Sequence, residues 1–142
     1  MKCIAYKGGY KYQLNETYVV RITVIPPQAI HTEYISLEMT GDISIKEGYA
    51  WDGRSGPTID TLTFMRGSLI HDALYQLMRE HHLDHNVYRE AADQTLRAIC
   101  EEDGMWSVSA WLVYHGVRLF ADFAADPADE RPLTRAPEGC QP

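Results

Sequence analysis

The chain has 142 residues, a formal net charge of −7, 45% hydrophobic residues and three cysteines. That length suits one domain with a real hydrophobic core and is too short for two ordinary ones. The acidic balance argues against general affinity for nucleic acid or anionic membranes, because phosphate would be repelled.

Met1-Lys2-Cys3-Ile4-Ala5-Tyr6-Lys7 runs into a polar, Tyr-rich segment with no apolar h-region, so no Sec-type signal peptide is expected. No stretch approaches the roughly 18 uncharged residues of a membrane span either. Synthesis in a cytoplasm is the expectation. Cys3, Cys100 and Cys140 are odd in number, widely spaced and without a CxxC pair, which fits reduced thiols rather than a disulfide framework or a zinc ribbon.

From Lys7 to about Gly48 the signals are those of strands. KYQL, TYVVRITVI, TEYISLEM and DISIKEG alternate or cluster β-branched and aromatic residues, with breaks at Asn15-Glu16, Pro26-Pro27 and Gly41-Asp42. Three to five antiparallel strands are predicted. Residues 49–65 read as a turn-rich loop. In its second half, Ile59, Leu62, Phe64 and Met65 are read as cover for a sheet edge, with an exposed apolar rim for a lipid surface or a protein as the alternative.

After residue 66 the period changes. Leu69, Ile70, Ala73, Leu74, Leu77 and Met78 recur at helical spacing, giving a helix over about 66–80. His81, His82, Asp84 and His85 fall in the following turn and are read as solvated rather than as a metal cluster. A second helix starts at Asp84 or Asn86, both good caps, and carries Val87, Ala91, Leu96 and Ile99 to about Glu102. A third, over about 105–123, is rich in Trp106, Val108, Trp111, Leu112, Val117, Leu119 and Phe120, all core-facing types. The fold class expected is α+β: an N-terminal antiparallel sheet and a three-helix part, together one domain over 1–125. Residues 126–142, with four of the seven prolines, are expected to be a flexible tail.

The chemistry-bearing residues cluster around the first helix. His71 and Tyr75 are four apart and share a face, while Asp72 lies about 100° round. Asp93 sits among Ala91, Ala92 and Leu96, a buried-looking interface. If the two helices pack antiparallel across the short connection, Asp93 approaches His71, fixes its tautomer and stabilises its imidazolium, so His71 becomes a competent general base for a water. Asp72 then faces the Trp51-Asp52-Gly53 loop, where a carboxylate and loop carbonyls make a hard-oxygen set suited to calcium. A bare His-Asp pair would read instead as a self-satisfied interhelical polar network. Ser55 in GRSGP lacks the G-x-S-x-G pattern of a serine nucleophile.

DGRSGP at 52–57, HDALY at 71–75 and ADQTLRAIC at 92–100 resemble the calcium loop, catalytic helix and second helix of secreted phospholipases A₂, especially the bacterial and fungal branch. The resemblance implies His71 as base, Asp93 as its orienting partner and Tyr75 beside them. It also implies Asp72 as a calcium ligand, Asp52 and the loop backbone as the rest of the metal site, and the Gly53 N–H as an oxyanion donor. It covers roughly residues 50–103. The family's loop cysteine falls at Arg54 and its partner at Ser68, so both ends of one disulfide are missing together.

Over nearly its whole length the chain also resembles a family of bacteriophage and prophage proteins of unknown function. The features that carry this are the GYAWDG loop, SGPTIDT, RGSLIHDALYQ, the Ala92-Asp93 pair and Tyr114-His115-Gly116-Val117-Arg118. This second resemblance implies a phage-encoded protein, virion-associated or not. It would be a calcium-dependent esterase meeting a lipid surface, a hydrolase of another bond such as one in the cell wall, or a non-catalytic partner of phage or host proteins.

Overall fold

The computed structural model describes residues 4–6, 12–52, 62–120 and 134–136. Its architecture is α+β, with antiparallel sheets in the N-terminal half followed by three helices, as the sequence predicts.

The strands are β1 (Ile4–Tyr6), β2 (Tyr12–Gln13), β3 (Tyr18–Arg21), β4 (Ile30–His31), β5 (Ile35–Leu37), β6 (Asp42–Ile45) and β7 (Ala50–Trp51), with β8 at Thr134–Ala136. The main sheet is four-stranded in the order β3-β6-β5-β4, all neighbours antiparallel. Period-two alternation sends Ile35, Leu37, Ile43 and Ile45 to its buried face, while Ser36 and Ser44 face the other way. Two small pairs accompany it, β2 with β7 and β1 with β8. The β8 strand lies in the tail expected to be flexible. There Thr134–Ala136 pairs with Ile4–Tyr6, and the remainder of 121–142 falls outside the described residues.

The helices are α1 (Leu62–Arg79), α2 (His85–Glu102) and α3 (Ser107–Phe120). The first begins four residues before the predicted start, because Phe64 is a core residue one turn ahead of the periodic run. The apolar stretch expected to act as one unit therefore divides: Phe64 is buried, Met65 half-buried, Leu62 exposed, and Ile59 lies outside the described residues. Among the described residues, no helix is long and apolar enough to cross a membrane.

Cap chemistry sets the helix ends. Asp84 caps α2, its Oδ1 accepting from the Asn86 N–H at 2.9 Å. At the other end Gly104 takes φ +99°, with Gly104 N–H donating to Glu101 O and Met105 N–H to Cys100 O, a Schellman turn. The end of α1 closes with the same hydrogen bonds, His81 N–H to Met78 O and His82 N–H to Leu77 O, but a histidine holds the left-handed position at φ +66°.

The two longer helices pack tightly at Gly67. A Cβ there would stand 2.9 Å from Leu96 Cδ1, 3.1 Å from Cys100 Sγ and 3.3 Å from Leu96 O. One core joins sheet and helices, running from Ile22, Ile35 and Ile43 through Phe64, Leu74 and Met78 to Leu96 and Val117. Arg66 ties its edges: the guanidinium makes two-pronged contact with Asp103 at 2.8 and 3.0 Å and donates to Tyr18 Oη at 2.9 Å.

The third helix departs from the sequence reading. Of the seven large apolar residues expected there, Val117 is the one that joins the core among those whose side chains are described. Trp106, Val108, Trp111, Leu112 and Leu119 are exposed, and the Phe120 side chain lies outside the described residues. The buried face is made of smaller residues, Ala110, Val113, Gly116 and Val117.

Two substitutions probe this packing. Gly67→Val should destabilise the fold by about 1–3 kcal/mol through overpacking against Leu96 and Cys100, read as a lowered urea midpoint. His81→Gly should raise that midpoint, gaining about 0.5–1 kcal/mol, since relief of the left-handed strain outweighs glycine's extra unfolded-state entropy.

Candidate functional site

Gly67, His71 and Tyr75 recur at four-residue spacing, so one stripe of α1 carries the helix contact and then the two polar side chains. Across the seam, α2 runs antiparallel: Leu96 and Cys100 meet Gly67, and Asp93, one turn earlier, meets His71 and Tyr75. His71 Nε2 lies 2.7 Å from Asp93 Oδ1, and the Tyr75 hydroxyl donates to the same oxygen at 2.5 Å. Since a carboxylate only accepts, the His71 Nε2 carries the hydrogen and Nδ1 is the basic nitrogen. The two rings of His71 and Tyr75 also lie against each other, 4.1 Å between centroids.

The second carboxylate oxygen is occupied from α3. Arg118 Nη1 donates to Asp93 Oδ2 at 3.1 Å. Asp93 and His71 are both buried, the latter 2% exposed, so these contacts decide their charge. Burial pushes the Asp93 carboxyl upward, but His71, Tyr75 and Arg118 together hold it below the usual carboxylate range. Burial likewise disfavours the His71 imidazolium. The neighbouring Asp72 and Asp93 outweigh it and raise the His71 pKa above its ordinary value. Burial and the Asp93 charge push the Tyr75 phenol far up, which keeps it a donor.

Asp72 is partly exposed and its Oδ1 stands 3.9 Å from His71 Nδ1, a charge contact too long for a hydrogen bond. It therefore neighbours the basic nitrogen itself, a closer association than the sequence suggests. On α1, Ser68 accepts from Trp51 Nε1 at 3.1 Å and donates to Met65 O at 2.8 Å. Trp51 is thus pinned to α1 one turn before Asp72, and Asp52, whose Oδ1 is buried, comes immediately after it. Gly53 and the rest of the loop through residue 61 lie outside the described residues.

Two carboxylates and backbone carbonyls would be a chemically suitable donor set for calcium. Among the described residues, however, no group of three or more His, Cys, Asp or Glu side chains comes together to hold a metal ion. The turn histidines are no exception: His81 and His82 line an open cleft of about 320 Å³ with His31 and Gln28. Cys100 is a free, buried thiol, pushed up to about 12 by its burial, and therefore an inert packing residue.

Among the described residues, His71, Tyr75 and Asp93 are the predicted residues that hydrogen bonds join, with Asp72 in charge contact with His71. Arg118 was visible in the sequence as part of Tyr114-x-x-Val117-Arg118 but without a role. The signal that could have assigned one is that no other Asp, Glu, Lys or Arg occurs in α3. Comparison of the chain with protein-family models, curated proteins and solved structures finds no match.

The titration of this pair has a definite sign. The raised His71 pKa contributes stability that is fully present below about 6.5, the unfolded value, and is lost as pH rises through the folded value. The depressed Asp93 pKa contributes stability present above about 3.9 and lost as pH falls below it. The melting temperature should therefore decline on the alkaline side of about 6.5, and His71→Gln should flatten that decline. An equally steep alkaline limb in the variant would assign it to other groups.

Proposed function

We propose that this chain is a phage-encoded, calcium-dependent ester hydrolase of the phospholipase A₂ kind, with a lipid ester as substrate and a lipid surface as its meeting place. The observation that carries the reading is the His71–Asp93 contact of 2.7 Å with Tyr75 on the same carboxylate oxygen, which leaves Nδ1 as the basic nitrogen. The sequence resemblance supplies the reaction class and the phage origin.

In this reading His71 Nδ1 removes a proton from water, whose oxygen attacks the ester carbonyl, and the imidazolium then returns the proton to the departing alkoxide. Asp93 orients the ring and stabilises its charge, and Tyr75 and Arg118 hold Asp93 in place. Calcium would be held by Asp72, Asp52 and carbonyls of the loop at Gly53, and the chemistry it supplies is polarisation of the ester carbonyl. Support for that placement is the Trp51–Ser68 bond, which sets the start of the loop one turn from Asp72. The Gly53 N–H is the proposed oxyanion donor.

A second reading rests on a different observation. With His71 2% exposed and Arg118 paired to Asp93, the cluster is also a closed polar network. In that case the same residues are structural, in a virion component or a factor that binds a host protein.

Fatty-acid release from mixed phosphatidylcholine micelles separates the two. Activity should require millimolar calcium, rise on the alkaline side of about pH 6.5 as His71 loses its proton, and fall by roughly 10²-fold or more in His71→Gln. Calcium should also raise the melting temperature, and Asp72→Asn should remove that shift. A chain that releases no fatty acid and shows no calcium shift is the structural protein of the second reading.

A further inference from the structure

The outer side of α3 is apolar where a surface helix would be polar. Val108, Trp111, Leu112, His115 and Leu119 fall at the spacing of a single helical stripe, within about 100°. All five are exposed, with Trp111 47% and Leu119 73% open. The opposite stripe of the same helix, Ala110, Val113 and Val117, is already buried in the core. A helix that is apolar on both sides is built to be covered on both sides.

We infer that a second copy of this chain covers it: the outer stripe of α3 packs antiparallel against the same stripe of another protomer, about a two-fold axis near the helix centre. This goes beyond the proposed activity and does not depend on it.

Three observations favour a second copy over other covers. First, the stripe is self-complementary. An antiparallel pair brings Val108 of one copy to Leu119 of the other and places Leu112 against His115, with no Asp, Glu, Lys or Arg between them, as an isologous contact requires. Second, the size fits. The stripe presents apolar area on the order of 500 Å², at the upper end of what a monomer leaves in one patch, and with a polar rim it reaches roughly the 800 Å² per partner of a stable interface. Third, the charge pattern disfavours a lipid surface. Interfacial helices carry Lys and Arg along the polar flank. The only Lys or Arg in α3 is Arg118, and it is turned inward onto Asp93. The chain's own C-terminal segment offers little alternative, since residues 121–142 contain only Phe123 and Leu133 as large apolar side chains.

The test is the mass of the full chain in solution by sedimentation velocity across the micromolar range. The expected species is a dimer of two 16.2 kDa chains. Leu112→Glu and Leu119→Glu, at positions exposed in the monomer, should each weaken dimerisation about 100-fold or more while far-UV circular dichroism is unchanged. Val19→Glu, an equally exposed apolar position on β3, should leave the dimer intact. A wild-type chain that stays monomeric at high micromolar concentration overturns the inference, as does a Leu112→Glu/Leu119→Glu double variant that still dimerises. A monomer that sediments with phosphatidylcholine vesicles through this stripe overturns it in favour of lipid. One that dimerises only after truncation at residue 124 overturns it in favour of the tail.

Discussion

A carboxylate removed from water must find donors, and Asp93 finds them on all sides of the helix cluster. Its first oxygen takes His71 and Tyr75 from α1, and its second takes Arg118 from α3. An uncompensated charge in that position would cost several kcal/mol, so the three helices are obliged to meet where these groups can reach it. The near-contact at Gly67 makes this geometrically feasible. Without a side chain there, α1 and α2 close tightly enough for a short imidazole and a phenol one and two turns on to span the seam.

The same arrangement sets what the cluster can do. A histidine whose Nε2 is committed to a buried carboxylate has one nitrogen left for chemistry, and Asp72 stands beside that nitrogen. Such a group is a proton acceptor whose strength is tuned by its neighbours: burial opposes the charged ring, whereas Asp72 and Asp93 favour it. Arg118 partly neutralises Asp93, so the charge on α3 bears on the basicity of a histidine on α1. That linkage passes through a single carboxylate.

Two further contacts tie the helical half to the strands. Trp51 on β7 donates to Ser68, and Arg66 joins Tyr18 of β3 to Asp103 at the end of α2. Ser68 thus ties the end of β7 to α1 by a single side-chain hydrogen bond. Such a bond contributes only about 1 kcal/mol net, so the bulk of the attachment between strands and helices comes from the shared apolar core.

Much of this architecture is legible in the chain itself. Period-two alternation marks Ile35, Leu37, Ile43 and Ile45 as one face of a sheet, and the capping chemistry of Asp84 and the Asp103-Gly104 break bound α2. Four-residue spacing puts His71 and Tyr75 together, because side-chain direction in a helix follows from its pitch. Local patterning could not say that Arg118 would reach Asp93 from 25 residues away, or that Asp72 would stand beside the histidine's Nδ1. Nor could it tell which apolar face of α3 would be buried: both faces carry the same signal, and the face buried is the one of smaller residues, Ala110, Val113, Gly116 and Val117. Sequence by itself determined the elements and the residue types on each face, since those depend on neighbours along the chain. Tertiary structure alone decided which faces meet and which charges are paired, since those depend on distances between residues remote in sequence.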